Sequence, residues 1–182
     1  MAGKVRVAVI SDTHGELDRR IVREIERCDC VAHAGDLGSV AVFALMQAAN
    51  AVMTIVRGNN DVAAKWAAAD HSYLEELPLE ASLELPGGLL QIVHGDKAGS
   101  VSRRHGWLRT RYPGARAIVY GHSHRLTVDT SQRPWVLNPG AAGVSRTFGG
   151  PSMLILTAGT NAWRVKTVRF ELPGQRSLEP HR

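Results

Sequence analysis

Cysteine is scarce in this chain, and none of its apolar runs is long. The two cysteines, Cys28 and Cys30, are one residue apart. A bridge across such a short spacing is strained and closes almost no loop, so it would stabilise little. With no second pair of cysteines there is no cysteine-based zinc site. Both are read as reduced, buried thiols of a cytoplasmic protein. No stretch approaches the ~18 uninterrupted apolar residues of a membrane helix, which excludes a membrane-spanning role. The start of the chain is read as lacking a secretory leader. Its apolar segment, Val5 to Ile10, is short and runs straight into Ser11-Asp12. Internal repeats and low-complexity runs are also missing, which removes solenoids and disordered linkers from consideration.

What remains is an ordinary globular composition: 182 residues, 44% apolar and 21% charged. That length suits one domain with a full core. The expectation is a single domain over residues 1–172 and a flexible polar tail at 173–182. Net charge is +5. Arg103, Arg104, Arg109, Arg111 and Arg116 crowd into one short segment. They suggest either an anion-attracting surface or, the preferred reading, a solvated helix face.

The hydrophobic pattern divides the chain in two. Residues 4–10 read as a strand that becomes fully apolar. Residues 16–27 read as a helix, with Leu17, Ile21 and Ile25 spaced four apart on one face. A strand at 30–34, a helix at 39–49 and a strand at 51–57 complete a β-α-β-α-β series, which implies parallel strands. The second half is rich in hairpins. Strands at 79–85 and 89–94 turn at Pro86-Gly87-Gly88, a helix follows at 100–112, and strands follow at 115–120, 125–130 and 135–138. Residues 139–151 read as loop. A terminal hairpin pairs 152–158 with 163–172. This half is expected to form another sheet.

Five segments share one design, an apolar strand followed by metal-ligand side chains. They are Ser11-Asp12-Thr13-His14, Gly35-Asp36, Gly58-Asn59-Asn60-Asp61, His94-Gly95-Asp96 and Gly121-His122-Ser123-His124. Side chains two apart in extended backbone point the same way, so Asp12 with His14, and His122 with His124, can converge. Glycines let backbones approach closely. In open α/β sheets, sites form beyond the carboxyl ends of strands, where all five segments sit. Mixed carboxylate, imidazole and amide donors suit borderline divalent metals. Singly, each segment has a bland reading. Asp36 stands where it could cap the 39–49 helix, Asn59 and Asn60 suit a turn, and a lone histidine often serves structure. The order and number of the five carry the argument.

Asp-Thr-His, Gly-Asp, Gly-Asn-x-Asp, His-Gly-x and Gly-His-Ser-His, in that order, resemble the calcineurin-like metallophosphoesterase superfamily. Asn138-Pro139-Gly140 and the chain length are similar to its small bacterial and archaeal phosphodiesterases. The resemblance covers about residues 5–146. It implies a four-layer αββα sandwich of two mixed sheets flanked by helices. It also implies two divalent metal ions per chain, manganese first, with nickel, iron, zinc or magnesium as alternatives. Asp12, His14 and His124 would hold one ion, Asn59, His94 and His122 the other, and Asp36 would bridge them. Catalytic positions would be Asp36, Asn60 and His122. The implied activity is hydrolysis of phosphate esters, diesters first, by a hydroxide activated between the two metals.

Two positions depart from the family. Many members carry histidine where this chain has Asn60, and that histidine acts as general acid toward the leaving group. Many also read His-Gly-His where this chain has His94-Gly95-Asp96. Outside the ligand set, His33 is a candidate to orient Asp36, and Asp61 reads as structural support for the Asn59 segment or a ligand histidine. His105 is a second candidate for reaching substrate. His71 and His181 read as plain surface residues. The substrate expected is a phosphate-ester small molecule or nucleotide, with nucleic acid only as substrate; a homo-oligomer is compatible with all of this. The alternatives are a catalytically weak protein-interaction scaffold of the same fold, and a nucleic-acid-binding module suggested by charge alone.

Overall fold

The computed structural model describes residues 3–49 and 52–172. The expected tail at 173–182, with His181, lies outside the described residues. Among the described residues, ten strands form two five-stranded sheets. The first has the order β10-β9-β1-β2-β3. Its members are β1 (Val5–Ile10), β2 (Cys30–His33), β3 (Val52–Ile55), β9 (Ser152–Ala158) and β10 (Trp163–Arg169). The second has the order β4-β5-β6-β8-β7. It comprises β4 (Glu80–Leu85), β5 (Gly88–Val93), β6 (Ala117–Val119), β7 (Thr127–Asp129) and β8 (Trp135–Asn138).

β1 is apolar on both faces because both faces are covered. Val7 and Val9 point into the layer between the sheets, where they meet Leu90, Ile92, Val119 and Leu137. Ala8 and Ile10 point the other way, onto Ile21 and Ile25 of α1 (Arg19–Ile25) and Val42 and Met46 of α2 (Val40–Ala48). On the far side, Val93, Ile118 and Val136 pack against Leu108 of the helix Val101–Arg111. The result is a helix–sheet–sheet–helix sandwich. α1 is shorter than the expected 16–27 because Asp18 ends the preceding loop. Its carboxylate accepts the Arg20 N–H at 2.8 Å, the usual work of an N-cap. α2 is capped by Ser39, whose hydroxyl accepts the Ala41 N–H at 3.0 Å. The expected cap, Asp36, is not used there.

Two expectations of topology need correction. The terminal hairpin does not join the second sheet. β9 runs antiparallel to β1, with Val7 opposite Leu156, and so extends the first sheet. The second sheet is also less hairpin-like than its sequence suggests, since β5, β6 and β8 are mutually parallel. Residues 58–78, which carried no assignment, contain two short 3-10 turns (Ala63–Lys65 and Ala68–Asp70) and the helix α3 (His71–Glu76). The helix Val101–Arg111 is then α4.

Register positions the site. Ile10 lies opposite His33, and His33 opposite Ile55, so β1, β2 and β3 end level with one another. In the second sheet Ile92, Val119 and Leu137 are likewise level. The loops leaving these six strand ends, three from each sheet, therefore emerge side by side.

Candidate metal centre

The segments beyond those strand ends are knitted together by main-chain hydrogen bonds. Asp12 N–H donates to Gly35 O at 3.0 Å, His14 N–H to Asp36 O at 3.0 Å, and Gly121 N–H to His94 O at 3.0 Å. Close approach requires glycine at two places. A Cβ on Gly58 would strike the Asp36 carboxylate and main chain, and one on Gly121 would lie 2.9 Å from both Ala34 O and Asp12 Oδ2. Among the described residues, six non-glycine residues have left-handed φ: Asp12 (53°), His14 (49°), Asp36 (56°), His122 (62°), His124 (56°) and Arg146 (52°). Such conformations cost about 1–3 kcal/mol each and persist where surrounding structure enforces them, commonly at functional sites. Five of these six are positions expected to ligate metal.

The side chains converge in two adjoining groups. In the first, Asp12, His14, Asp36 and His124 each offer a ligand atom within 4.8 Å of the others. His14 Nε2 is 3.1 Å from His124 Nε2 and 3.7 Å from Asp36 Oδ2, and His124 Nε2 is 3.3 Å from Asp12 Oδ1. His124 donates its Nδ1–H to Arg146 O at 3.0 Å, which leaves its Nε2 lone pair facing the cluster. In the second, Asn59 Oδ1 lies 2.9 Å from His94 Nε2 and 2.9 Å from His122 Nδ1, and His94 Nε2 is 3.4 Å from Asp36 Oδ1. His94 Nδ1–H donates to Ala34 O at 2.9 Å, fixing the ring. Asp36 presents one carboxylate oxygen to each group.

The electrostatics favour positive charge. Burial would raise the Asp36 carboxyl, but the hydrogen bond and charge of His94, with further bonds from Asn60, hold it well below the usual carboxylate range. His94 responds in the opposite sense. Burial would lower it, yet Asp36 and Asp12 push it up to about 8, so the space beside Asp36 retains a proton near neutral pH. Burial pushes Asp12 up to about 6, against the pull of His124 and His94. Burial lowers His14 to about 4 against the opposing charge of Asp36, so its imidazole is neutral and able to ligate. Burial, with repulsion from His94, also lowers His122. Divalent metal would satisfy these demands: in the first group it would be held by His14 and His124 and favour the ionised form of Asp12, and in the second it would take the place of the proton on His94. The donor set fits the metal.

The supporting residues are closely placed. His33 is fully buried. Its Nδ1 accepts the Gly35 N–H at 3.2 Å, so Nε2 carries the proton and donates to Thr13 Oγ1 at 3.0 Å. The Thr13 hydroxyl in turn meets Leu37 O at 3.0 Å. His33 thus fixes the backbone around Asp36 without touching its carboxylate. Asp61 accepts from the main-chain N–H of Gly58, Leu37 and Gly38 at 2.8, 3.1 and 2.9 Å, tying the Asn59 segment to the Asp36 loop; no ligand histidine is among its partners. Asn60 donates its side-chain amide to Asp36 Oδ2, and its carbonyl accepts from Lys65 Nζ.

Other readings shift. His105 faces Asp129 Oδ2 at 2.8 Å and Tyr120 OH at 3.2 Å, partners outside the ligand cluster. His71 lies 3.1 Å from Ala63 O and 3.3 Å from Trp66 O, bracing the loop after Asp61. The arginine-rich segment is not simply a solvated face. Arg104 is buried, Arg109 pairs with Asp129 at 2.7 Å, and Arg116 binds Gly87 O and Asn161 O. Cys28 and Cys30 are free, Cys30 buried and Cys28 only partly so. Arg146 carried no expectation. Its guanidinium lies 2.7 Å from His14 Nε2, and only its place in a glycine-rich loop near the last motif could have drawn attention to it.

The chain as a whole has relatives. Residues 5–161 match the calcineurin-like phosphoesterase superfamily domain, and the chain belongs to that superfamily. A probable metallophosphoesterase of Methanothermobacter thermautotrophicus is 26% identical over 181 residues, covering 94% of this chain and 96% of that one. Among solved structures, an archaeal phosphodiesterase is 24% identical, covers 90% of this chain and 99% of that one, and has a TM-score of 0.67. Vps29 of Entamoeba histolytica, complexed with zinc, is 15% identical, covers 90% of this chain and 98% of that one, and also has a TM-score of 0.67. Among the described residues no helix is long and apolar enough to cross a membrane.

Proposed function

We propose that this protein is a phosphodiesterase dependent on two divalent metal ions. One would be held by Asp12, His14 and His124, the other by Asn59, His94 and His122, with Asp36 shared. The observation that carries this reading is the convergence of seven nitrogen- and oxygen-bearing side chains from five strand ends, four of them with ligand atoms all within 4.8 Å. Bound divalent ions would supply Lewis acidity at the phosphoryl group and a nucleophile at neutral pH.

The chain's own residues do the rest. Asp36, ionised and held by Asn60 from both main chain and side chain, keeps the two groups in fixed relation. The His124 and His94 rings are each fixed by a bond from Nδ1 to a carbonyl, so their Nε2 atoms need no reorganisation. Arg146 brings a cation to the edge of the cluster, where it can meet a phosphate oxygen once His14 Nε2 is otherwise engaged. The archaeal neighbour's description as a phosphodiesterase supports diesters over monoesters. A scaffold that kept the fold and lost the chemistry would be expected to have lost ligands, and all seven positions here hold competent donors.

The deciding experiment assays purified protein on phosphodiesters and phosphomonoesters with Mn²⁺, Ni²⁺, Mg²⁺, Zn²⁺ or Fe²⁺ supplied in turn. The expected result is metal-dependent hydrolysis with diesters turned over faster. No hydrolysis of any ester with any metal would leave the scaffold reading in place.

A further inference from the structure

Beside Asn59 and His94 the surface sinks into a cavity of about 480 Å³. That volume falls in the range of small-molecule sites, and a phosphoryl group alone would fill little of it. Trp107 and Tyr112 form one wall, from α4 and its C-terminal end. Trp107 is 42% exposed, whereas Trp66 and Trp163 are 7% and 4% exposed. An indole left open beside a charged centre is available to stack on a flat ligand.

The wall is also held in place. The Tyr112 hydroxyl donates to Glu80, and the Arg111 guanidinium lies 5.2 Å from the Tyr112 ring centre and 3.7 Å from Glu80. Glu80 is thereby paired with Arg111 and Tyr112. Of the remaining charged side chains lining the cavity, Arg57 and Lys97 are cationic and only Asp96 is acidic; neither cation is ion-paired among the described residues. The cavity therefore offers an aromatic face and an excess of positive charge next to the candidate metal centre.

We infer that this cavity binds the nucleoside part of a nucleotide substrate, with the base against the Trp107 indole and an anionic group toward Arg57 and Lys97. The inference rests on the phosphoesterase reading only for the place of the scissile phosphate, at Asn59 and His94. Base–aromatic stacking is tolerant of base identity, so a preference for nucleotides over base-free phosphates is expected, without sharp choice among bases.

The test is equilibrium binding measured by titration calorimetry, with Trp107 fluorescence read alongside in wild type. The Mn²⁺-supplied protein is titrated with adenosine 5′-monophosphate, ribose 5-phosphate and inorganic phosphate. Wild type should bind the nucleotide about 10-fold or more tighter than ribose 5-phosphate, with quenching of Trp107. Trp107→Leu should lose that preference and leave ribose 5-phosphate binding unchanged, while Trp107→Phe keeps most of it. Equal affinity of wild type for the two sugars' phosphates, or undiminished nucleotide preference in Trp107→Leu, would overturn the inference. The wild-type comparison decides even if a variant misfolds. Binding preference without hydrolysis of any ester would remove the phosphoesterase reading and leave the cavity assignment standing. Hydrolysis without base preference would do the reverse.

Discussion

The side-chain amide of Asn60 donates to Asp36 Oδ2 at 2.7 Å, and the main-chain N–H of the same residue donates to Asp36 Oδ1 at 2.8 Å. One residue thus grips both oxygens of the carboxylate shared by the two ligand groups. Asn60→Ala keeps the main-chain bond and loses the other. The carboxylate then loses one of the two bonds that fix its orientation toward the two groups. Metal affinity should fall about 10–100-fold, the usual penalty for losing a partner of a ligand. Competition with a chromogenic chelator measures it, and unchanged affinity would show that the side-chain bond is incidental.

Asp36→Asn goes further, because an amide is a poor bridge between two cations and cannot supply negative charge. The variant should stay folded and hydrolyse phosphodiesters at a small fraction of the wild-type rate. Elemental analysis of reconstituted protein should find two ions per chain in wild type and fewer in the variant. Near-normal turnover with full metal content in Asp36→Asn, or one ion in fully active wild type, contradicts the shared-carboxylate arrangement.

The convergence of the five segments was legible in the sequence because each follows an apolar strand, and strand ends in an α/β sheet are level with one another; their division into two ligand sets came only from the family resemblance. The parallel run of β1, β2 and β3 was legible for the same reason, as apolar strands alternating with helices imply it. The pairing of β9 with β1 was not, since nothing local in Ser152–Ala158 specifies a partner some 150 residues earlier. Residues 58–78 carry an alanine-rich stretch without clear period, so α3 and the turns before it left no signal. The grip of Asn60 on Asp36 depends on the distance between two loops, and Asn60 in isolation reads as a turn residue. Arg146 was hidden because a single arginine in a glycine-rich loop has no pattern to betray it.

His33 makes stability depend on pH in a defined direction. Its imbalance arises from burial, reinforced by repulsion from His94, which lowers it from 6.5 to about 3. Between those values the unfolded chain takes up a proton that the folded chain refuses. The stability tied to neutral His33 is therefore fully present above pH 6.5 and lost as pH falls toward 3, at up to about 1.4 kcal/mol per pH unit. His33→Phe should cost about 1–3 kcal/mol at pH 7.5, because Gly35 N–H and Thr13 Oγ1 each lose a partner. The same variant should show a shallower decline in stability from pH 6.5 to 4. Denaturant unfolding of both proteins in chelator, at several pH values, separates the two effects. Parallel pH profiles would mean that other groups carry the acid sensitivity.

Asn60 also bears on how the leaving group departs. An amide cannot pass a proton to an alkoxide, and here both ends of the amide are engaged, the donor by Asp36 and the acceptor by Lys65. A diester whose leaving group is a stable anion, such as a nitrophenolate, needs no proton. An alkyl alkoxide does, and a positioned acid typically contributes ~10²–10⁴-fold. Wild type should therefore slow steeply as the leaving group becomes less acidic. Asn60→His retains the main-chain bond to Asp36 and adds an acid, so alkyl esters should gain rate and nitrophenyl esters should gain little. Lys65 is the cation nearest that position by its contact with Asn60, and Lys65→Gln distinguishes it as a donor. If Lys65 supplied the proton, wild type would show a shallow dependence that becomes steep in Lys65→Gln, and Asn60→His would add nothing. Turnover of the three proteins across a leaving-group series decides between these outcomes. Equal steep slopes for wild type and Lys65→Gln, with a shallower slope in Asn60→His, are the expected result.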